Sequence, residues 1–379
     1  MPKKIYILSS LLIGASWLFA AFGNIAAAFT SIALSGILGS RQEMAGIVIN
    51  QRLLCLYLLT NLSFLASALV RDATEERLLL FGVSLYCLLV YLSVLLSKRH
   101  LKYAFIIFSM GFLYTGAQII MQEIMQPGAT AQSQADMLGA AAIVAPNDYA
   151  LFLICLPFIF YALSEFHVHR TNLIISLILF MALFSAFALE SRLSLLLISA
   201  LAIYELRRWY FKAWHQFLIP VVSMIAFLSF FIGSSVKMTS LPTSRIPVWH
   251  AGLLQIVENP IWGGGIDSFR DFYRKHIDSI SYPDLIVVDT RSMPWAHNML
   301  IEVAGSFGML VACTCVMLIY SSMIELRRHK SRLHSYSLLA LGCFCISSLI
   351  ELSILRVYPL VFIAIVVGIA SSHERNKTP

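Results

Sequence analysis

Three side chains stand where apolar chain meets polar chain: Arg192 in ALESRLSLLL, Arg245 in LPTSRIPVWH and His297 in MPWAHNMLIE. A guanidinium offers a planar, permanently charged fork to phosphate oxygens. An imidazole can take a proton from a hydroxyl near neutral pH. Together they suit chemistry in which a hydroxyl attacks and a phosphate or pyrophosphate leaves. Each also has a plainer reading. Arg192 is either an anion site or a snorkelling anchor paired with Glu190, and an arginine held near hydrocarbon costs about 2.5–3.5 kcal/mol on insertion scales. Arg245 follows Ser244, which suits an N-cap, so a positive charge would stand in a first helical turn against the helix dipole. It answers either a bound anion or a lipid headgroup. His297 is either a proton acceptor or an interfacial capping residue. Asn298 lies beside it, and Glu302, four residues on, shares the face of Asn298.

Other candidates are less specific. Arg356, between two late apolar runs, is either an anchor paired with Glu351 or a third cation facing the same region. Gly263-Gly264-Gly265 is either a phosphate-cradling nest or a set of tight-turn glycines. It lacks the strand and helix that frame a nucleotide loop. Asp267, Asp271, Asp278, Asp284 and Asp289 match no cation-loop spacing, so no metal is expected. The seven cysteines all lie in apolar runs and read as small hydrophobes. No cofactor is expected.

Arg245 and His297 bracket the one long polar interruption, Lys237 to Asn298, which holds His250, His276 and His297 and six of the 27 basic residues. Elsewhere the chain is apolar. Hydrophobic residues make up 59% and charged residues 12% of 379, with mean hydropathy +0.80. A soluble domain carries about 25% charged residues. The composition therefore predicts an all-α polytopic membrane protein and excludes a β-barrel, which would show short alternating strands. The net charge of +7 reflects span-flanking residues and does not suggest nucleic acid.

Apolar runs predict about twelve transmembrane helices, near 5–22, 25–39, 53–70, 78–97, 103–121, 149–164, 171–190, 193–206, 216–235, 298–320, 335–353 and 357–372. The organisation is then nine helices over 1–235, a large loop over 236–297, and three helices with a tail over 298–379. The basic MPKKIY start runs into apolar sequence too long for a signal peptide, so it reads as the first span. Basic residues concentrate in the loops on the side of Lys3 and Lys4, among them Lys98, Arg99, Arg207, Arg208, Arg327 and Arg328. Both termini are thus expected in the cytoplasm, with the 121–148 and 236–297 loops outside. Within the large loop, Ile246, Trp249, Leu253, Leu254 and Val257 fall at helical spacing. They predict an interfacial helix from Arg245 to Val257 with Trp249 at headgroup depth.

The ordered set of motifs resembles the O-antigen ligase and polymerase superfamily of bacterial envelope proteins. The set comprises Asn147-Asp148-Tyr149-Ala150, Ser191-Arg192, Ser244-Arg245 with Trp249, Asn259-Pro260 with the glycine run and Phe269. It ends with His297-Asn298 followed by Gly305-x-x-Gly308. The resemblance implies a GT-C-like glycosyltransferase of the inner membrane with its active site facing the periplasm. It implies transfer of a glycan from undecaprenyl pyrophosphate, with inversion and without metal. Arg192 and Arg245 match the family's pyrophosphate-binding arginines, and His297 matches the histidine that activates the acceptor. The closest expectation is an O-antigen ligase, with lipid A-core as acceptor. An O-antigen polymerase would use the same donor. A transporter of the lipid-linked glycan is the reading of another class, but transporters place ionisable groups near span centres, which these residues avoid.

Overall fold

A computed structural model of the chain describes residues 2–21, 25–39, 47–71, 74–97, 100–107, 153–166, 171–188, 192–209, 245–266, 268–277, 296–329, 331–350 and 357–374, with isolated positions between 109 and 117. The described residues are almost entirely helical. In chain order the helices are α1 (Pro2–Ala21), α2 (Ile25–Gly39), α3 (Gln51–Arg71), α4 (Thr74–Ser97), α5 (Leu156–Glu165), α6 (Thr171–Ala188) and α7 (Arg192–Trp209). They continue with α8 (Arg245–Glu258), α9 (Ser268–Ile277), α10 (Met299–Phe307), α11 (Met309–Arg328), α12 (Arg332–Ile350) and α13 (Val357–Ser371). Three of them are long and apolar enough to cross a membrane: α3, α4 and α11. Shorter apolar helices include α5 and the cores of α1, α6, α7 and α13. Many large apolar side chains point outward, such as Leu62 at 62% exposure, Leu78 at 67% and Phe180 at 68%. That is the surface expected of helices whose solvent is lipid.

Most expected spans have a helical counterpart. One differs. The run 298–320 is not one helix but α10 and α11, broken at Gly308, whose φ of 92° is open chiefly to glycine. In the run 103–121 every described residue is helical, at 103–107, 109–110, 113–114 and 117; its remaining residues lie outside the described residues, as do the whole 216–235 span and the 121–148 loop. Of the twelve expected spans, three are matched by helices long and apolar enough to cross a membrane. One element was not expected. Strand β1 (Ile47–Ile49) pairs antiparallel with β2 (Ser372–Glu374), in register Ile47↔Glu374 and Ile49↔Ser372. Beside this ribbon, Asn50 donates its N–H to Ser371 O at 2.8 Å. Its side-chain oxygen meanwhile accepts from Arg52 and Leu53 N–H, capping α3. The start of α3 and the end of α13 therefore share one end of the bundle.

The opposite end of α3 carries the lobe built from the polar interruption. Arg71 donates to Asn259 Oδ1 at 3.0 Å, and Ser67 Oγ donates to Trp262 O at 2.8 Å. Phe64 meets Phe307 edge to face at 4.8 Å. Deeper in the bundle, hydroxyls tie helices together. Ser63 meets Thr314 at 3.3 Å, and Tyr86 pairs with Ser16 at 2.7 Å. Where helices must touch closely, the contact residue is small. A methyl on Gly14 would overlap the backbone of Ala104.

The break at Gly308 is sealed by backbone from the lobe. Met309 N–H donates to Pro260 O at 2.8 Å, and a methyl on Gly308 would overlap the Ile261 carbonyl. Gly308→Ala should therefore cost roughly 3 kcal/mol or more, combining a strained φ with a backbone collision. Gly82→Ala, in α4 with nothing within 4 Å of the added methyl, should be neutral or slightly stabilising. Thermal unfolding of the two purified variants in one detergent checks the contrast.

Candidate functional site

The lobe consists of α8, the 259–266 loop, α9 and α10. The expected amphipathic helix is present as α8, one residue longer than its predicted end at Val257. Its faces are inverted relative to a soluble helix. Pro247, Val248, Ala251, Gly252 and Gln255 are buried. Ile246, Leu253 and Val257 are 44%, 52% and 74% exposed. A small-residue face thus packs inward and an apolar face looks out. Trp249 is only half-buried, with its Nε1 buried and without a hydrogen-bond partner among the described residues.

Helix α9 was not anticipated, because its segment matched no motif. Its signal is plain amphipathicity: Phe269, Tyr273 and Ile277 are buried, while Arg270, Asp271, Arg274 and Lys275 are exposed. Its buried face joins Val248, Ala251 and Ala296 in a small core of its own, with Ile301 against it. His276 clamps α9 to α8. Its ring stacks on Phe272 at 4.0 Å, its Nδ1 lies 2.9 Å from Phe272 O, and its Nε2 lies 3.4 Å from Glu258 Oε1.

The register between α8 and α10 sets the geometry. Gly252 lies against Ile301, and Gly305 against the Gln255 side chain and the Gly252 carbonyl. Pro260 O takes the Met309 N–H. Partner numbers rise together, with offsets of 49 to 53 residues, so the two helices run side by side in the same direction. Their N-termini share one end, and Val248 of α8 and Ala296, just ahead of His297, lie in the same small core. Each N-terminus presents roughly half a positive charge, and side by side the two fields add. Arg245 brings a full charge to the same end.

His297 has a φ of 52°, and it is the one described non-glycine residue with positive φ. This left-handed geometry is uncommon outside glycine, asparagine, aspartate and histidine. Asn298 supports it. Its side-chain oxygen accepts from Leu300 and Ile301 N–H at 3.0 and 3.2 Å, making it the N-cap of α10. Its Nδ2 donates to Leu349 O at 3.0 Å, fastening the cap to the end of α12. Both functional groups of Asn298 are thereby occupied, so its role is to position its neighbour. Glu302 is 1% exposed and donates its N–H to Asn298 O at 2.9 Å.

The glycine run is not a phosphate cradle. Gly263, Gly264 and Gly265 donate their N–H groups to Asn259, Gly305 and Ser306 carbonyls at 3.0, 2.8 and 2.9 Å. A methyl on Gly263, at φ 68°, would overlap the Ser306 backbone. Two groups that sequence reading passed over complete this dock. Gln255, 1% exposed, donates to Ser268 Oγ at 2.7 Å, and Ser268 Oγ donates to Gly265 O at 2.6 Å. A buried glutamine on the inward face of α8 was the available signal.

The backbone of Arg192 is the first residue of α7, and nothing further of that side chain is described. Arg356, Ser244, Arg291 and the Asn147-Asp148 pair lie outside the described residues. The structure thus sets side by side two helices, α8 with Arg245 and Trp249 in its first turns and α10 with His297 and Asn298 at its start and Glu302 in its first turn. Among the described residues no group of three or more His, Cys, Asp or Glu is placed to hold a metal. No protein-family model matches the chain, and comparison with curated proteins finds no match.

Two expectations follow for the cap. Asn298→Ala should destabilise by about 1–2 kcal/mol, the usual effect of losing an N-cap. Asn298→Asp should keep the cap and lose only the tie to Leu349. At the next residue, His297→Val should be about 1–2 kcal/mol less stable than His297→Gly, because only glycine adopts the left-handed backbone without strain. Denaturation midpoints of the four variants test both.

Proposed function

We propose that the chain is a membrane glycosyltransferase that moves O-antigen polysaccharide from undecaprenyl pyrophosphate to a sugar hydroxyl of lipid A-core. The observation that carries this reading is the shared end of α8 and α10: two helix N-termini lie at one end of a packed pair, one opening on Arg245 and the other preceded by His297. A cation at a helix N-terminus is unfavourable by itself. It is favourable once an anion binds both the guanidinium and the free N–H groups. A histidine beside such an anion has the right chemistry for the acceptor.

In the proposed reaction the acceptor hydroxyl attacks the anomeric carbon from the face opposite the leaving group, which inverts that centre. The bond from the anomeric carbon to the pyrophosphate oxygen breaks, and the lipid pyrophosphate leaves with the electron pair. His297 takes the hydroxyl proton. Charge grows on the leaving oxygen, and arginines aimed at it supply electrostatic stabilisation of the transition state. The family resemblance of Arg192 assigns it to the same pyrophosphate, and its position in the chain is compatible with that. Tyr204 in α7 contacts Tyr336 in α12 at 6.1 Å. If α7 and α12 are antiparallel, as the alternation of spans requires, Arg192 and Ser348 both lie about 18 Å from that contact, on the same side. Ser348 neighbours Leu349, to which Asn298 is tied. Arg356 is assigned to the same region as a third cation. The reading places the site outside the inner membrane, with both termini in the cytoplasm.

The test is transfer by purified protein supplied with lipid-linked glycan and lipid A-core. Arg192→Ala and Arg245→Ala should each lower turnover by about 10²–10³-fold, and His297→Ala by about 10²–10⁴-fold. All three should melt near the parent temperature, and product should still form in chelator. Near-parental turnover by all three variants would overturn the mechanism. Product that lengthens without any core acceptor would instead identify a polymerase.

A further inference from the structure

The lobe carries one charged surface that the transferase chemistry leaves unused. Helix α9 turns Phe269, Tyr273 and Ile277 inward and leaves Arg270, Asp271, Arg274 and Lys275 exposed. Arg274 and Lys275 stand in its last turn, where the helix dipole favours positive charge. Arg270 stands in the first turn, where the dipole opposes it. Arg270 and Arg274 are also four residues apart, so two like charges project from one helical face and repel. Among the described residues no carboxylate forms an ion pair with Arg270, Arg274 or Lys275. An anion bridging the two arginines reverses both unfavourable effects, because guanidiniums at that spacing present their forked donors to one phosphate.

Two contacts place this face. Helix α9 begins at Ser268, bonded to Gln255, and near its end His276 meets Glu258. Those partners are ten and thirteen residues along α8 from Arg245, roughly 15 and 20 Å at the helical rise. The stripe is therefore a second cationic site, distinct from the end assigned to the pyrophosphate. It also faces away from the apolar side of α8. Val248 and Ala251, which share a core with α9, lie about 120–180° around the α8 axis from the exposed Leu253 and Val257. A bilayer that wets Leu253 and Val257 does not meet the outer face of α9.

We propose that Arg270, Arg274 and Lys275 bind phosphate groups of the acceptor glycolipid and so set its affinity, while the reaction proceeds at the other end of α8. Within the transferase reading, on which this assignment rests, the acceptor is lipid A-core, whose sugars carry phosphate. An oligosaccharide of several sugars spans the separation, so one acceptor molecule meets both sites.

The experiment measures acceptor KM for the full chain in phosphatidylcholine vesicles, with lipid A-core and with the same acceptor dephosphorylated. Arg270→Gln, Arg274→Gln and Lys275→Gln combined should raise KM for the phosphorylated acceptor roughly eightfold, the product of three solvent-screened contacts worth about twofold each. The kcat and the donor KM should not change. The parent should show the same rise on the dephosphorylated acceptor, where the triple variant loses nothing further. Asp271→Asn, which removes the acid from the same face, should lower KM for the phosphorylated acceptor. Glutamine keeps the helix propensity, so all variants should melt near the parent temperature. An unchanged KM in the triple variant, an equal rise on both acceptors, or a rise in donor KM would overturn the assignment. So would a defect that appears only when phosphatidylglycerol is added to the vesicles, which would identify headgroups as the anion. Equilibrium binding of the acceptor without donor separates the stripe from the reaction. Charge-dependent binding by a parent that transfers nothing would end the transferase reading and leave the stripe as an anionic-glycolipid site. Transfer with no dependence on the charges of α9 would end only this assignment.

Discussion

A helix that breaks near hydrocarbon leaves backbone groups that no water can satisfy. That constraint falls on Gly308, and the rest of the lobe is arranged around meeting it. The chain turns there from α10 into α11, and the 259–265 loop lies against the turn, backbone on backbone. Carbonyls of Pro260, Gly305 and Ser306 all find partners in this contact. Glycine at 263 and 308 lets the two segments approach closely enough for those bonds, and glycine at 305 leaves room for the Gln255 side chain. The dock then fixes how far α8 can slide along α10. Their common direction, and the placing of their N-termini at one end, follow from a contact at the far end of the same two helices.

This arrangement also explains how α10 is held between members of the bundle. Asn298 fastens one end to α12, while Phe307 rests on α3 at the other. The helix is held at both ends by different members of the bundle. Its N-terminal cap is rigid, and His297 adopts a left-handed backbone just ahead of that cap. Strained backbone of this kind persists only where its surroundings over-determine it. Here the Asn298 side chain does so with three hydrogen bonds on two helices.

Much of the helical layout was legible from hydropathy and charge. The limits of α2 were read as 25–39 and are Ile25–Gly39, and the amphipathic helix that opens at Arg245 was read within one residue of its observed end. The break at Gly308 was not legible, because the sequence is apolar on both sides and hydropathy reports environment, not direction. The β1–β2 ribbon escaped for a related reason. Ser372-His373-Glu374 has no strand propensity, and only the placement of α3 beside α13 brings it to Ile47–Ile49. In the site, Arg245 and His297 stood out by charge type at a polar boundary. Gln255 and Ser268 did not, since their importance lies in whom they touch. The glycine motifs were visible, but their spacing could not say that Gly263–Gly265 and Gly305–Gly308 meet each other.

The partners of α3 lie far along the chain. Ser63 meets Thr314, Arg71 meets Asn259, and Asn50 meets Ser371, the last residue of the final helix. Synthesis proceeds from the N-terminus, so α3 enters the membrane long before any of these partners exists. For most of translation it can be matched only by lipid or by its neighbour α4. The lobe cannot seat until α11 has been made, and the ribbon cannot close until the ribosome has passed residue 374. The N-terminal helices α1, α2 and α4 can pack early, but seating of the lobe and closure of the ribbon are late events, and a chain stalled after α8 would carry Arg245 without the helix α10 that its own helix packs against.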